Sequence, residues 1–100
     1  RKRGSIPLGT AIIMSFYVYM LINKDRFIKK TYVGYTIDIK KRLKQHNTNK
    51  GAKSTRGYSW ELIFTKKFLR KKDAMKYEYK LKKDRKLRKK IKESVNEKIT

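Results

Sequence analysis

The sequence predicts an α+β fold in a single domain, and three observations point there. Phe16 to Ile22 and Thr31 to Tyr35 are dense in aromatic and β-branched residues with a polar stretch between them, which reads as a β-hairpin with a long loop. Ser59 to Phe68 carries a third strand-like run. Ile39 and Leu43, and later Ala74, Glu78 and Leu81, recur at helical spacing.

Arg1 to Ile13 opens with Arg1, Lys2 and Arg3, turns weakly apolar and lacks a clear small-residue cleavage site. It reads as an expression remnant or an extension upstream of a native start at Met14, outside the fold. Alternation in the first strand sets Phe16, Val18, Met20 and Ile22 on one face, and Tyr17, Tyr19 and Leu21 on the other. Gly34, next to Tyr32, points to a close backbone approach at the end of the second strand. Thr36 or Asp38 can then cap a helix beginning near Ile39, which Asn47 to Gly51 terminates.

Gly51 to Gly57 is a basic loop. In the third strand Trp60, Leu62 and Phe64 alternate with Glu61, Ile63 and Thr65. From about Arg70 to Ile91 the spacing predicts one helix, and residues 70–92 hold thirteen Lys or Arg against two Asp and one Glu. Beyond Leu81 only Leu87 and Ile91 continue the apolar stripe, so the far end is expected to be a solvated or DNA-facing arm rather than core. The expected domain spans 14–92, with 93–100 as a tail.

Thirty Lys and Arg face eight Asp and Glu, a formal net charge of +22. Solubility in a small domain needs a magnitude of only about 2 to 8. Nucleic acid is the expected partner, and an anionic membrane surface is the competitor. The C-terminal segment is too lysine-rich on all faces to make an amphipathic membrane helix. The longest apolar stretch, Met14 to Ile22, is far shorter than the roughly 20 residues that cross a bilayer. No Cys and a single His exclude disulfides and thiolate or His-rich zinc sites, so any metal must sit on carboxylates. A cytoplasmic monomer is the expectation.

Hydrolysis of a phosphodiester usually needs a hard cation held by a carboxylate. Most of the eight acids have another explanation: Asp25 suits the hairpin loop, Asp38 a helix cap, Asp73 a first helical turn, and Glu61 the outer face of its strand. Asp84, Glu93 and Glu97 fall in the basic C-terminal region. Glu78 alone interrupts a stripe that should face the core, and a buried carboxylate needs a compensating cation. That cation is either a metal or a neighbouring Lys or Arg. Tyr19 and Tyr32 read equally as packing residues with their hydroxyls at the rim, Arg42 as a surface charge, and His46 as a cation at a helix C-terminus.

Taken together, these residues resemble the GIY-YIG nuclease pattern in order and spacing. Tyr17-Val18-Tyr19 precedes Tyr32-Val33-Gly34, Arg42 and His46 follow Tyr32 by ten and fourteen residues, and Glu78 comes last. Gln45-His46-Asn47, Gly51-Ala52-Lys53-Ser54-Thr55-Arg56 and Ala74-Met75-Lys76-Tyr77-Glu78 further resemble the short bacterial stand-alone branch, related to structure-selective Slx-type nucleases. Tyr17 stands where the family name has Gly.

The resemblance implies a three-stranded antiparallel sheet flanked by helices, and an endonuclease acting on DNA, with branched or damaged DNA in repair or recombination as the substrate class. It implies that Glu78 holds Mg²⁺ or Mn²⁺ and that Tyr19 acts as general base, its pKa lowered by the metal and nearby cations. Arg42 would stabilise charge on the phosphate, while Tyr32 and His46 would position water and phosphate oxygens or relay a proton. Lys53, Thr55 and Arg56 are expected backbone contacts, and Lys82, Lys83, Arg85 and Lys86 a sequence-independent grip on the duplex. The rival is a catalytically silent DNA- or RNA-binding module on the same fold.

Overall fold

The computed structural model describes residues 14–24 and 29–99, with side chains as far as 95. The leader 1–13, Asp25 and the side chain of Glu97 lie outside the described residues. The elements run β1 (Phe16–Asn23), β2 (Thr31–Thr36), α1 (Ile39–Asn47), a 3-10 turn (Lys53–Thr55), β3 (Trp60–Phe68), α2 (Lys71–Lys83) and α3 (Arg85–Ile99). The sheet order is β2-β1-β3, with both pairings antiparallel. This is the expected α+β architecture, and no helix among the described residues is long and apolar enough to cross a membrane.

β1 is central and covered on both faces, which is why its four residues Val18–Leu21 are all buried instead of alternately so. On one face Val18 and Met20 pack with Val33, Ala74 and Leu81, under α2. On the other, Tyr19, Leu21 and Trp60 pack beneath Ile39 and Leu43 of α1. The strict alternation expected of β3 fails at Ile63. Met20 pairs with Phe64 but Leu21 with Leu62, so Ile63 is an extra residue in a β-bulge. One inserted residue reverses the facing of everything beyond it, so Phe64 joins Val18 and Met20 instead of Trp60 and Leu62.

The single helix expected over 70–91 is two helices. Asp84 leaves helical geometry and its carboxylate accepts the Leu87 backbone N–H at 3.0 Å, so it N-caps α3 rather than decorating a basic tail. Arg88 turns back to donate to the carbonyls of Leu81 and Lys82 in the last turn of α2, where the Leu81 carbonyl also accepts the Asp84 backbone N–H at 3.4 Å. Folded back in this way, α3 sets Leu87 and Ile91 against the core, so its near half is not a free arm. The helix continues past residue 92 to Ile99.

Candidate active site

Of the two expected caps of α1, Asp38 takes the role: its carboxylate accepts the Lys41 backbone N–H at 3.1 Å. That fixes the rotation of the helix over the sheet. Ile39 and Leu43 point down, while Arg42 and His46, one turn apart, point at the β1–β2 ladder. The ladder pairs Tyr19 with Gly34 and Leu21 with Tyr32, so both tyrosines face α1. Tyr32 lies against the His46 ring at 4.8 Å between centroids.

A cavity of about 590 Å³ opens along the outer edge of the sheet at β2. Tyr19, Tyr32, Arg42 and Gln45 wall it from the α1 side, and Glu78 of α2 from the other. Four of the five expected site residues therefore line one space, and the fifth, His46, stands fully buried behind Tyr19.

Tyr19 is 2 % exposed, with its hydroxyl 2.8 Å from His46 Nε2 and 3.4 Å from Arg42 Nε. Burial pushes the phenol up to about 12, outweighing the Arg42 hydrogen bond, which pulls it down. The protein's own charges thus do not produce the lowering expected of Tyr19. Arg42 has its pKa raised, first by its hydrogen bond to Tyr19, and stays a cation; its second bond is to Gln45 Oε1 at 3.1 Å. Gln45 contributes no charge, and the signal that could have singled it out was its i, i+3 spacing from Arg42.

His46 differs most from the sequence expectation. It is not a solvated helix-end cation: burial, and then Arg42, bring its pKa down to about 4, so the imidazole is neutral near pH 7. Its Nδ1 lies 3.0 Å from Thr55 Oγ1. Thr55 is itself fully buried and cannot be the phosphate contact expected of it; it packs inward because Trp60 Nε1 donates to its carbonyl at 2.9 Å. Its neighbours Lys53 and Arg56 are exposed and free to meet a backbone.

Glu78 is partly shielded, with a side-chain exposure of 18 %, because Ala74 and Leu81 take the core positions and turn it toward the cavity. Its Oε2 lies 3.6 Å from Lys82 Nζ, so the ion-pair partner foreseen as one alternative is present alongside the open face. No cluster of three or more potential metal ligands occurs among the described residues. Lys83 stacks over the Tyr79 ring, while Arg85 and Lys86 join Arg88, Lys89 and Lys92 around a second, basic cavity at Thr31.

A family model described as the GIY-YIG catalytic domain matches residues 15–92. The UPF0213 protein of Oceanobacillus iheyensis is 45 % identical over 67 residues, covering 66 % of this chain and 74 % of that one. That of Halalkalibacterium halodurans is 44 % identical over 70 residues, covering 69 % and 71 %. A solution NMR structure of a UPF0213 protein from Bacillus halodurans aligns over 82 % of this chain and 85 % of that one, at 40 % identity and a TM-score of 0.47. This chain belongs to the GIY-YIG family, whose members are typically endonucleases acting on nucleic acid.

Proposed function

We propose that the protein is a divalent-metal-dependent endonuclease that hydrolyses DNA phosphodiester bonds in the β2-edge cavity, on branched or damaged DNA. The observation that carries this reading is the meeting, in one cavity, of a phenol, a guanidinium and a carboxylate contributed by β1, α1 and α2. Glu78 suits Mg²⁺ or Mn²⁺: a single carboxylate, incompletely neutralised by a lysine 3.6 Å away, leaves most of a cation's shell to water and phosphate oxygens. When bound, the ion would supply positive charge at the scissile phosphate.

The chain's own residues do the rest. Arg42 faces the cavity as a permanent cation, placed to meet the charge that grows on the phosphate oxygens. Tyr19 takes a proton from the attacking water as it passes its own to His46 Nε2, 2.8 Å away. Before substrate enters, burial raises the phenol and lowers the imidazole, and both shifts keep that proton on Tyr19. The transfer must therefore be concerted with attack, and an incoming phosphate assists it by offsetting the Arg42 charge that depresses His46. Water forms the new P–O bond, and the ester oxygen leaves with a proton from solvent.

The test is Glu78→Gln, with cleavage and binding of nicked and branched DNA measured with and without Mg²⁺. Lys82 is half exposed and its contact with Glu78 is long, so losing the pair should lower stability by less than about 1 kcal/mol. The expected variant is folded, binds DNA at least as tightly, and does not cut. A folded variant that cuts at the unsubstituted rate would leave the protein a nucleic-acid-binding module.

A further inference from the structure

We propose that Thr55 is a positioning residue that fixes the tautomer of His46, and with it the direction in which Tyr19 points its proton. The inference rests on the hydrolytic role given to Tyr19 above for its consequence, but not for its geometry.

The assignment follows from counting hydrogens along a chain of buried groups. A threonine hydroxyl has one proton, and that of Thr55 goes to the Ala52 carbonyl, 2.7 Å away in the 3-10 turn. With its proton committed, Thr55 Oγ1 can only accept at its 3.0 Å contact with His46 Nδ1, so Nδ1 must carry the hydrogen. A buried neutral imidazole has one N–H, which leaves Nε2 bare. The 2.8 Å contact of Nε2 with Tyr19 then requires the phenol to donate. Arg42 Nε completes the order by donating to the phenol oxygen at 3.4 Å.

The opposite tautomer undoes two links at once. An N–H on Nε2 would meet a phenol oxygen that already accepts from Arg42, driving the Tyr19 proton out toward the cavity. Bare Nδ1 would need Thr55 to abandon Ala52. Only the first arrangement gives Tyr19 a base to discharge into while its remaining lone pair faces water. It also leaves the imidazolium formed during attack with both N–H groups already paired, so no buried donor is orphaned.

The turn that carries Thr55 is built to hold this register. The Thr55 backbone N–H also donates to Ala52, at 3.0 Å, and Trp60 Nε1 holds the Thr55 carbonyl. Gly51 lets the chain pass the ring: a Cβ there would stand 2.5 Å from Nδ1. The Nδ1 side of His46 is therefore closed by backbone, with the Thr55 hydroxyl as the polar group set against it.

His46 is the sole histidine of the chain, so ring-¹⁵N-histidine labelling gives one imidazole in a long-range ¹H–¹⁵N correlation spectrum. The expected spectrum near pH 7 shows Nδ1 protonated and Nε2 bare in the unsubstituted protein and in Thr55→Ser. In Thr55→Val, which keeps the shape and removes the acceptor, the ring should move to the Nε2-protonated form or a mixture. Single-turnover cleavage by Thr55→Val should fall about 10- to 100-fold with DNA affinity unchanged, and Thr55→Ser should restore it. An Nε2-protonated ring in the unsubstituted protein overturns the proposal, whether or not Thr55→Val folds. So does a Thr55→Val ring that keeps the original tautomer. An Nδ1-protonated ring that responds to Thr55 in a protein that cuts no DNA upholds the positioning and strikes down the nuclease reading instead.

Discussion

A Cβ added to Gly34 would stand 2.6 Å from the Tyr19 hydroxyl oxygen and 3.1 Å from the Tyr32 ring. The bare glycine is what lets the two tyrosines of adjacent strands lie over the same stretch of backbone. Gly34→Ala should push the phenol off His46 while the sheet survives, lowering stability by about 1 to 3 kcal/mol. A displacement near 1 Å at the reacting group should reduce cleavage on the order of 10²-fold. Thermal melting and single-turnover cleavage measured together check this, and full activity in a folded Gly34→Ala would show that the phenol need not sit where it does.

Arg42→Ala should lower turnover by roughly 10² to 10³ with little change in DNA affinity, because its charge is worth most when the phosphate gains negative charge. A second readout separates it from an ordinary phosphate contact. Arg42 is one of the causes that hold His46 down, after burial, so the imidazole pKa should rise in the variant. Equal losses in binding and turnover, with His46 unmoved, would make Arg42 a simple grip.

His46 also sets a pH window for stability. The groups around its ring are Tyr19, Tyr32, Thr55 and the Arg42 cation. Its folded value of about 4 lies below the ordinary 6.5, so the unfolded chain takes up the proton first as pH falls. Stability from this group is complete above about pH 6.5, drains away toward pH 4 and then levels, a change of up to about 3 kcal/mol. Denaturant melts of the protein and of His46→Gln across that range should diverge by this amount. Parallel curves would mean that the ring takes up its proton as readily in the fold as in the unfolded chain.

Binding should be dominated by phosphate contacts and weaken about 10³-fold or more between roughly 50 and 200 mM salt if at least six form. The structure narrows which lysines and arginines can be removed cleanly. Lys82 neighbours Glu78, and Arg88 caps α2, so changing either does more than remove a phosphate contact. Arg85, Lys86 and Lys89, exposed around the basic cavity, are the better set. Replacing all three with Gln should weaken binding to every sequence alike and make the salt slope shallower by as much as about 3. A change in sequence preference would instead mean that α3 reads bases.

Several candidate site residues could be picked out locally because each disturbs a rule or falls at a fixed interval, whereas Tyr19 and Tyr32 stood out only through the family resemblance. Glu78 breaks an apolar stripe, Arg42 and His46 share a helical spacing, and Gly34 interrupts a β-branched run. Thr55, the bulge at Ile63 and the return of Arg88 onto α2 were not legible, because each is decided by a partner remote in sequence or by a whole-sheet register. Thr55 carried the composition of a phosphate contact, and only the placement of Trp60 and His46 turns it inward. Asp84 was misread for a related reason: its surroundings placed it with the acids of the basic C-terminal region, while its capping role depends on a break in the helix that periodicity alone does not show.

The cavity straddles the edge of the sheet, taking its phenol and guanidinium from the half built with α1 and its carboxylate from the half built with α2. Neither half is sufficient by itself: wherever α2 is lifted from the sheet, the phenol and the guanidinium face a space with no carboxylate beside it.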